Sequence, residues 1–281
     1  MYLLQKNSLL KQSYEATTAI REAALEILQD SSAGLVFEPE EHRYFLGGRE
    51  LRSVSSIVEH FAPFDAVTVA ARCSTNPRHE HFGKSVEEII AIWEENGRQA
   101  ANEGTEIHAF AEACYLYMLD REDEIEDAFK DRIKPDGLLA IKPKEIAAAR
   151  WWSEADWRRY VPVAKETRVV NPMLGYAGTF DLLLYDMYNM FFVDKDWKTN
   201  KDLDRWYGDM CLPPLSMLKS NDIGKYTIQQ TLYTIELRNL RLPVNANVLI
   251  WLKDNGYEER PLEMNYDKVV EYAATQYLKS I

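Results

Sequence analysis

Cysteine is scarce in this chain, and its spacing forms no pattern. Cys73, Cys114 and Cys211 are odd in number and lie far apart. That excludes a disulfide framework, and no C-x-x-C pair exists for a zinc or iron-sulfur site. Long apolar runs are missing too: none approaches the roughly 18 residues that a membrane span requires. The opening segment, MYLLQKNSLLKQSYEATT, has no h-region and no cleavage site, so the expected location is the cytoplasm. No Walker A pattern G-x-x-x-x-G-K-[ST] occurs, which argues against a nucleotide cofactor and against ATPase or helicase activity. Positive charge is in deficit, with 33 Lys and Arg against 45 Asp and Glu and a net charge of -12. Broad electrostatic binding to duplex DNA is thereby disfavoured, although a small basic groove is compatible with it.

What is present is an ordinary globular composition, 46% hydrophobic and 28% charged over 281 residues, enough for a sizeable core. No period repeats and no segment is of low complexity. Residues 1–34 read as one or two helices ended by Ser31-Ser32-Ala33-Gly34. Strand-like residues 35–37 and 44–46, around 38–42, suggest a small hairpin leading through Gly47-Gly48 to residues 51–54, with a short helix over 55–61. His79 and His81 form a His-x-His pair that could hold a metal, although a solvated loop is the simpler reading; His42 and His60 stand alone.

Residues 86–99 have amphipathic helical spacing, and the helix is expected to stop near Asn102-Glu103-Gly104. Thr105 then caps the next helix, which carries His108 and Glu112 one turn apart on one face. Residues 120–136 are strongly acidic, most simply a solvated face that repels nucleic acid. Residues 144–159 are helical and rich in tryptophan; Trp151, Trp152 and Trp157 read as core, with base stacking as the lesser alternative. Residues 161–170 form a strand holding Glu166. A long loop at 200–221 is followed by a strong helix over 223–240, on which Tyr226, Gln229 and Tyr233 share a face. Strands over 247–252 and 258–264 and a helix over 266–278 close the chain.

The informative stretch is 178–199, GTFDLLLYDMYNMFFVDKDWKT, which reads as two strands folded back on each other. A two-residue turn at Tyr188-Asn189 sets Asp181 opposite Asp196; a wider turn over 186–189 sets it opposite Asp194. Facing carboxylates repel, so such a pair calls for a cation between them. Strand alternation puts Asp196 and Lys198 on one face and Trp197 on the other. The plain alternative is a charged strand end solvated at a sheet edge.

In order along the chain stand Gly104-Thr105-x-x-His108-x-x-x-Glu112, Glu166, Gly178-Thr179-x-Asp181, Asp196-Trp197-Lys198-Thr199 and Gln229-x-x-x-Tyr233. With these five pieces the chain resembles the PD-(D/E)XK nuclease superfamily, in its RecB-like exonuclease branch. The hairpin and helices ahead of them resemble phage and mitochondrial relatives. The resemblance implies an α/β fold with a restriction-endonuclease-like core, αβββαβ, its central mixed sheet flanked by helices. That core would span residues 104–281, with a mainly helical extension over 1–103 packed on it. It implies a Mg2+ or Mn2+ site made by His108, Asp181, Asp196 and the Trp197 carbonyl, with Glu166 in support and Glu112 as a further supporting residue.

By the same resemblance, Lys198 would orient the attacking water and offset charge on the phosphate, while Gln229, Tyr233, Thr105, Thr199 and Lys201 would contact the nucleic acid. The implied activity is a metal-dependent deoxyribonuclease, an exonuclease acting on single strands or duplex ends in recombination, repair or phage DNA metabolism, with DNA and recombination or replication proteins as partners. The alternatives are an inactive nuclease-fold module that binds nucleic acid, and a structural partner protein. The sequence departs from the family's usual pattern in having two acids, Asp194 and Asp196, before Lys198.

Overall fold

The computed structural model describes residues 1–39 and 41–281. In chain order the elements are β1 (Tyr2–Leu4), α1 (Ser8–Ala16), α2 (Thr18–Ser31), β2 (Leu35–Glu38), β3 (Arg43–Leu46), β4 (Arg49–Ser53), α3 (Val54–Phe61), α4 (Ala66–Thr75), α5 (Val86–Met118), α6 (Asp127–Lys130), β5 (Ile133–Lys134), β6 (Gly137–Ala140), α7 (Pro143–Glu154), β7 (Tyr160–Asn171), β8 (Tyr176–Asp186), β9 (Phe191–Lys198), α8 (Asp222–Asn239), β10 (Val244–Lys253), β11 (Gly256–Leu262) and α9 (Asp267–Ser280).

The chain is an α/β protein built on an eight-stranded mixed sheet. Its order is β11-β10-β9-β8-β4-β3-β2, with β7 also paired to β8. β9 runs parallel to β10 and β4 parallel to β8, while β7, β8 and β9 form an antiparallel meander. Helices cover both faces. On one side α5 and α7 enclose a core of Phe110, Trp151, Trp152, Trp157, Leu182 and Trp197. On the other, α2, α3, α8 and α9 enclose Ile57, Phe61, Phe180, Leu183, Ile228 and Leu232. The three tryptophans of residues 151–157 are each 1% exposed, so they build core and offer no face to a base. No helix of the described residues is long and apolar enough to cross a membrane.

Local chemistry sets the helix starts. The Ser85 hydroxyl accepts the Glu88 amide while the Glu88 carboxylate accepts the Ser85 amide, which caps α5 at both orphan donors. Pro143 occupies the first turn of α7, and the Asn221 side chain accepts the Gly224 amide at the start of α8. Gly224 has no substitute here, because a Cβ would lie 1.9 Å from the Lys219 carbonyl oxygen.

Several expectations change. The two helices read around Gly104 are one, the 33-residue α5. A glycine inside a helix costs only about 1 kcal/mol, and packing on both sides outweighs that. Thr105 is therefore not a cap: it sits in mid-helix and its hydroxyl donates to the Ala101 carbonyl. The boundary at 103/104 falls inside this helix. The hairpin at 35–46 is joined by β4 into a meander that extends the main sheet, and the turn between its strands includes Glu40, which lies outside the described residues. Residues 2–4 and 133–140 form a small second sheet, β1-β6-β5, which has too few residues to carry a visible period. The acidic stretch 120–136 contains β5 and α6 and is partly neutralised, with Asp120 pairing to Lys6 and Lys11 and Glu124 to Arg121.

Candidate metal centre

The site lies where the sheet splits. β4 pairs with β8 at Tyr176 and Ala177, and β9 pairs with the same edge from Leu182 to Asp186. Residues 178–181 between them carry no ladder on that edge. There the Asp181 carboxylate takes the place of a strand and accepts the Trp197 amide at 2.8 Å. The hairpin ladder from Asp186↔Phe191 to Leu182↔Lys195 is the register that directs Asp181 toward Asp196 and not Asp194. Its loop is nonetheless four residues, 187–190, with Met190 at φ 54°, because Asp186 folds the loop over its own carboxylate: both oxygens are engaged by donors from Arg159, Tyr188 and Asn189.

Alternation along β8 breaks at Asp181, since Phe180 lies in the α8-side core and Leu182 in the tryptophan-side core. On the facing strand Glu166, bracketed by the pairs Lys165↔Leu182 and Thr167↔Phe180, has φ 43°. A left-handed backbone costs a non-glycine residue about 1–3 kcal/mol and concentrates at working sites. These two irregularities bring side chains of two strands to His108 on α5. One ligand atom each from His108, Glu166 and Asp181 lie within 4.8 Å of one another. His108 Nδ1 is 3.5 Å from Asp181 Oδ2 and 3.9 Å from Glu166 Oε1, and the Trp197 carbonyl accepts from Nε2 at 3.1 Å.

The converging group shares His108 and Asp181 with the set read from sequence. Glu166, given a supporting role, is in it; Asp196 is turned to the α8 side, where its carboxylate pairs with Lys198. Strand alternation is the reason, because Asp196 and Lys198 share a face that Trp197 does not. Glu112 pairs with Lys165. Tyr233 is 3% exposed and packs against Gly178, where a Cβ would lie 2.6 Å from its ring. It is a wall beneath the split and not a nucleic-acid contact, and the Gln229 amide reaches its hydroxyl at 3.4 Å. Thr105, exposed, lines a cleft of about 480 Å³ with Gly104, His108, Glu112 and Glu166. Thr199 and Lys201 line a neighbouring cleft of about 750 Å³ with Lys144 and Lys253. His79 and His81 join no group of potential ligands among the described residues.

Sequence reasoning missed the support of Lys198. Its ammonium lies 4.2 Å from the Tyr226 ring centroid. The Tyr226 hydroxyl donates to Asn200 Oδ1 at 2.8 Å, and Asn200 donates to Asp222 at 2.6 Å. Tyr226 was visible as sharing a face with Gln229 and Tyr233, but nothing in the spacing ties it to residue 198.

Burial sets the electrostatics. Desolvation pushes Asp196 up to about 6, with the Asp181 charge adding to it, and raises Asp181 as well against the pull of His108. Asp194, fully buried beside Asp196, is pushed well above the carboxylate range by desolvation and by both neighbouring acids. Burial opposes a charge on His108, but Asp181 and Glu166 outweigh it and hold the ring up to about 9. Lys198 is raised in the same way, burial opposing and Asp196 prevailing. Both Asp194 oxygens lack a hydrogen-bond donor, whereas Asp196 Oδ2 has the Lys198 ammonium against it. The carboxylate oxygens of Asp181 and Glu166 with one imidazole nitrogen suit a hard divalent cation such as Mg2+ or Mn2+, so the residues fit the ion. No protein-family model matches the chain, and no curated protein matches it at a significant level.

Proposed function

We propose that this protein is a Mg2+- or Mn2+-dependent deoxyribonuclease of the PD-(D/E)XK, RecB-like type, an exonuclease hydrolysing phosphodiester bonds at DNA ends. The observation that carries the reading is the convergence of His108, Asp181, Glu166 and the Trp197 carbonyl at a split sheet edge, with Lys198 the next residue along β9. The order α5, β7, β8, β9, α8, β10 supports it, since it is the αβββαβ order of that family's restriction-endonuclease-like core, here with α6, β5, β6 and α7 inserted after the first helix.

His108, Asp181, Glu166 and the Trp197 carbonyl would hold the cation, and Asp196 adds negative charge beside it. When bound, such an ion supplies Lewis-acid activation of water and compensates charge on the phosphate. The chain's own part is positional. Lys198, steadied by Tyr226 and Asp196, presents an ammonium to the attacking water and to the charge that develops on the phosphoryl oxygens. Thr199 and Lys201, on the rim of the larger cleft, offer donors to the sugar-phosphate backbone, which positions a strand without reading its bases; Thr105 lines the rim of the other, its hydroxyl proton engaged by Ala101.

The test is end-labelled single- and double-stranded DNA incubated with Mg2+ or Mn2+. Wild-type protein releases nucleotides and Lys198→Ala does not. DNA left intact in every form, by protein that also binds neither ion, would overturn the reading; intact DNA with unimpaired DNA binding would favour an inactive nuclease-fold module.

A further inference from the structure

Arg168 is an exposed cation beside the carboxylates, and neither the family pattern nor the chemistry above uses it. It stands two residues beyond Glu166 on β7, a displacement of about 6.6 Å along a strand, and both side chains are exposed. Its register partner on β8 is Thr179, two residues before Asp181. Among the described residues no carboxylate lies within ion-pair distance of Arg168; its guanidinium instead lies 5.2 Å from the centroid of the Phe37 ring.

That ring belongs to a small aromatic wall on the β2-β3 hairpin. Phe37 meets His42 edge to face at 5.3 Å and Tyr44 at 4.6 Å. Tyr44 is buried and its hydroxyl is 3.1 Å from the Thr179 hydroxyl, which ties the hairpin to the split in the sheet. The hairpin's acids Glu38 and Glu41 are both held by Arg43, so they do not neutralise Arg168.

We propose that Arg168, Thr179 and the Phe37-His42 rings form a subsite for the nucleotide next to the scissile phosphate of a single strand, with the guanidinium on a phosphate and the rings against an unpaired base. The proposal rests on the nuclease reading and extends it to the N-terminal meander, which becomes one wall of the substrate cleft. In a chain of net charge -12, a cation one strand step from Glu166 offsets the repulsion that a phosphate meets at the carboxylates. A forked guanidinium suits phosphate oxygens. Rings presented at a surface are open to bases of a single strand, which no partner strand covers.

The experiment measures anisotropy of a fluorescein-labelled oligothymidylate in EDTA, where no turnover occurs, across a salt series. Arg168→Ala is expected to weaken binding about tenfold, the size of a lost charged hydrogen bond, and to flatten the salt dependence by about 0.7 in slope, as for one phosphate contact on a single strand. Arg168→Lys restores the slope. Phe37→Ala weakens binding by a similar factor and leaves the slope unchanged. Should the alanine variant melt, Arg168→Gln, which keeps its stem on Phe37, gives the deciding value. Unchanged affinity and slope on loss of the Arg168 charge overturn the subsite. If wild type still cleaves with Mn2+ and Lys198→Ala does not, the subsite alone falls and the nuclease reading stands. Wild type that neither binds nor cleaves any DNA removes both.

Discussion

Asp186 and Asp194 lie on one hairpin, both fully buried, and the fold handles them in opposite ways. Asp186, at the closed end, accepts from Arg159, from Asn189 Nδ2 and from two loop amides. Burial opposes its charge, but these donors prevail and hold it below the usual carboxylate range. Asp194, near the open end, has no donor on either oxygen and sits beside Asp196, and it is pushed far up. One end is a finished hydrogen-bond network that shapes a turn. The other is a concentration of negative charge whose innermost acid has no donor.

The largest expected effect tests the open end. Lys198→Ala or Asp181→Asn should lower Mn2+-dependent DNA cleavage about a hundred- to a thousandfold, as loss of a preorganised charge does, with urea midpoints near wild type; cleavage at the wild-type rate would deny that end its role. Next, Mn2+ at about a hundred times its dissociation constant should stabilise wild type by about 2.7 kcal/mol, a rise of roughly 5–10 °C in Tm for a chain of this size. Asp181→Asn should show little of that rise in the same melting scan.

The closed end should respond to different changes. Asp186→Ala leaves Arg159 and two amides without their acceptor and should cost about 2–3 kcal/mol in urea unfolding. Asp194→Asn removes an unsatisfied buried acid and should be neutral or stabilising. A matching loss from both variants would erase the contrast. Because the folded value of Asp186 is depressed, its contribution is fully present above the unfolded carboxylate value near 3.9. It disappears as pH falls through the lower folded value. The stability gap between wild type and Asp186→Asn should therefore close in acid, below about pH 4. The smallest effect is Tyr226→Phe, which keeps the ring beside Lys198 and loses the hydrogen bond to Asn200. It should slow cleavage no more than about fivefold, the equivalent of about 1 kcal/mol.

Much of this contrast was readable along the chain. The hairpin, the opposite faces of Lys198 and Trp197, and a helix bearing His108 all follow from strand and helix periods, which act between neighbours, while those periods left the hairpin register open between Asp194 and Asp196. The tryptophan run was readable as core for the same reason. Other features were not. Gly104 reads as a stop because local propensity disfavours it, yet packing carries α5 straight through. Glu166 reads as an ordinary strand acid until a left-handed backbone directs it to His108. Asp186 has no local sign of its network, because Arg159 lies 27 positions away.

By itself the sequence determined the α/β class, the types of the longer elements and which residues of 194–198 share a strand face, since those depend on periods of two and 3.6 residues and on side-chain chemistry. The tertiary structure alone decided where the sheet splits, that Glu166 comes beside His108 and Asp181, that Tyr233 is a wall, and that Tyr226 supports Lys198. Each of those joins residues from separate elements, and only the closing of the sheet against its helices brings them within reach.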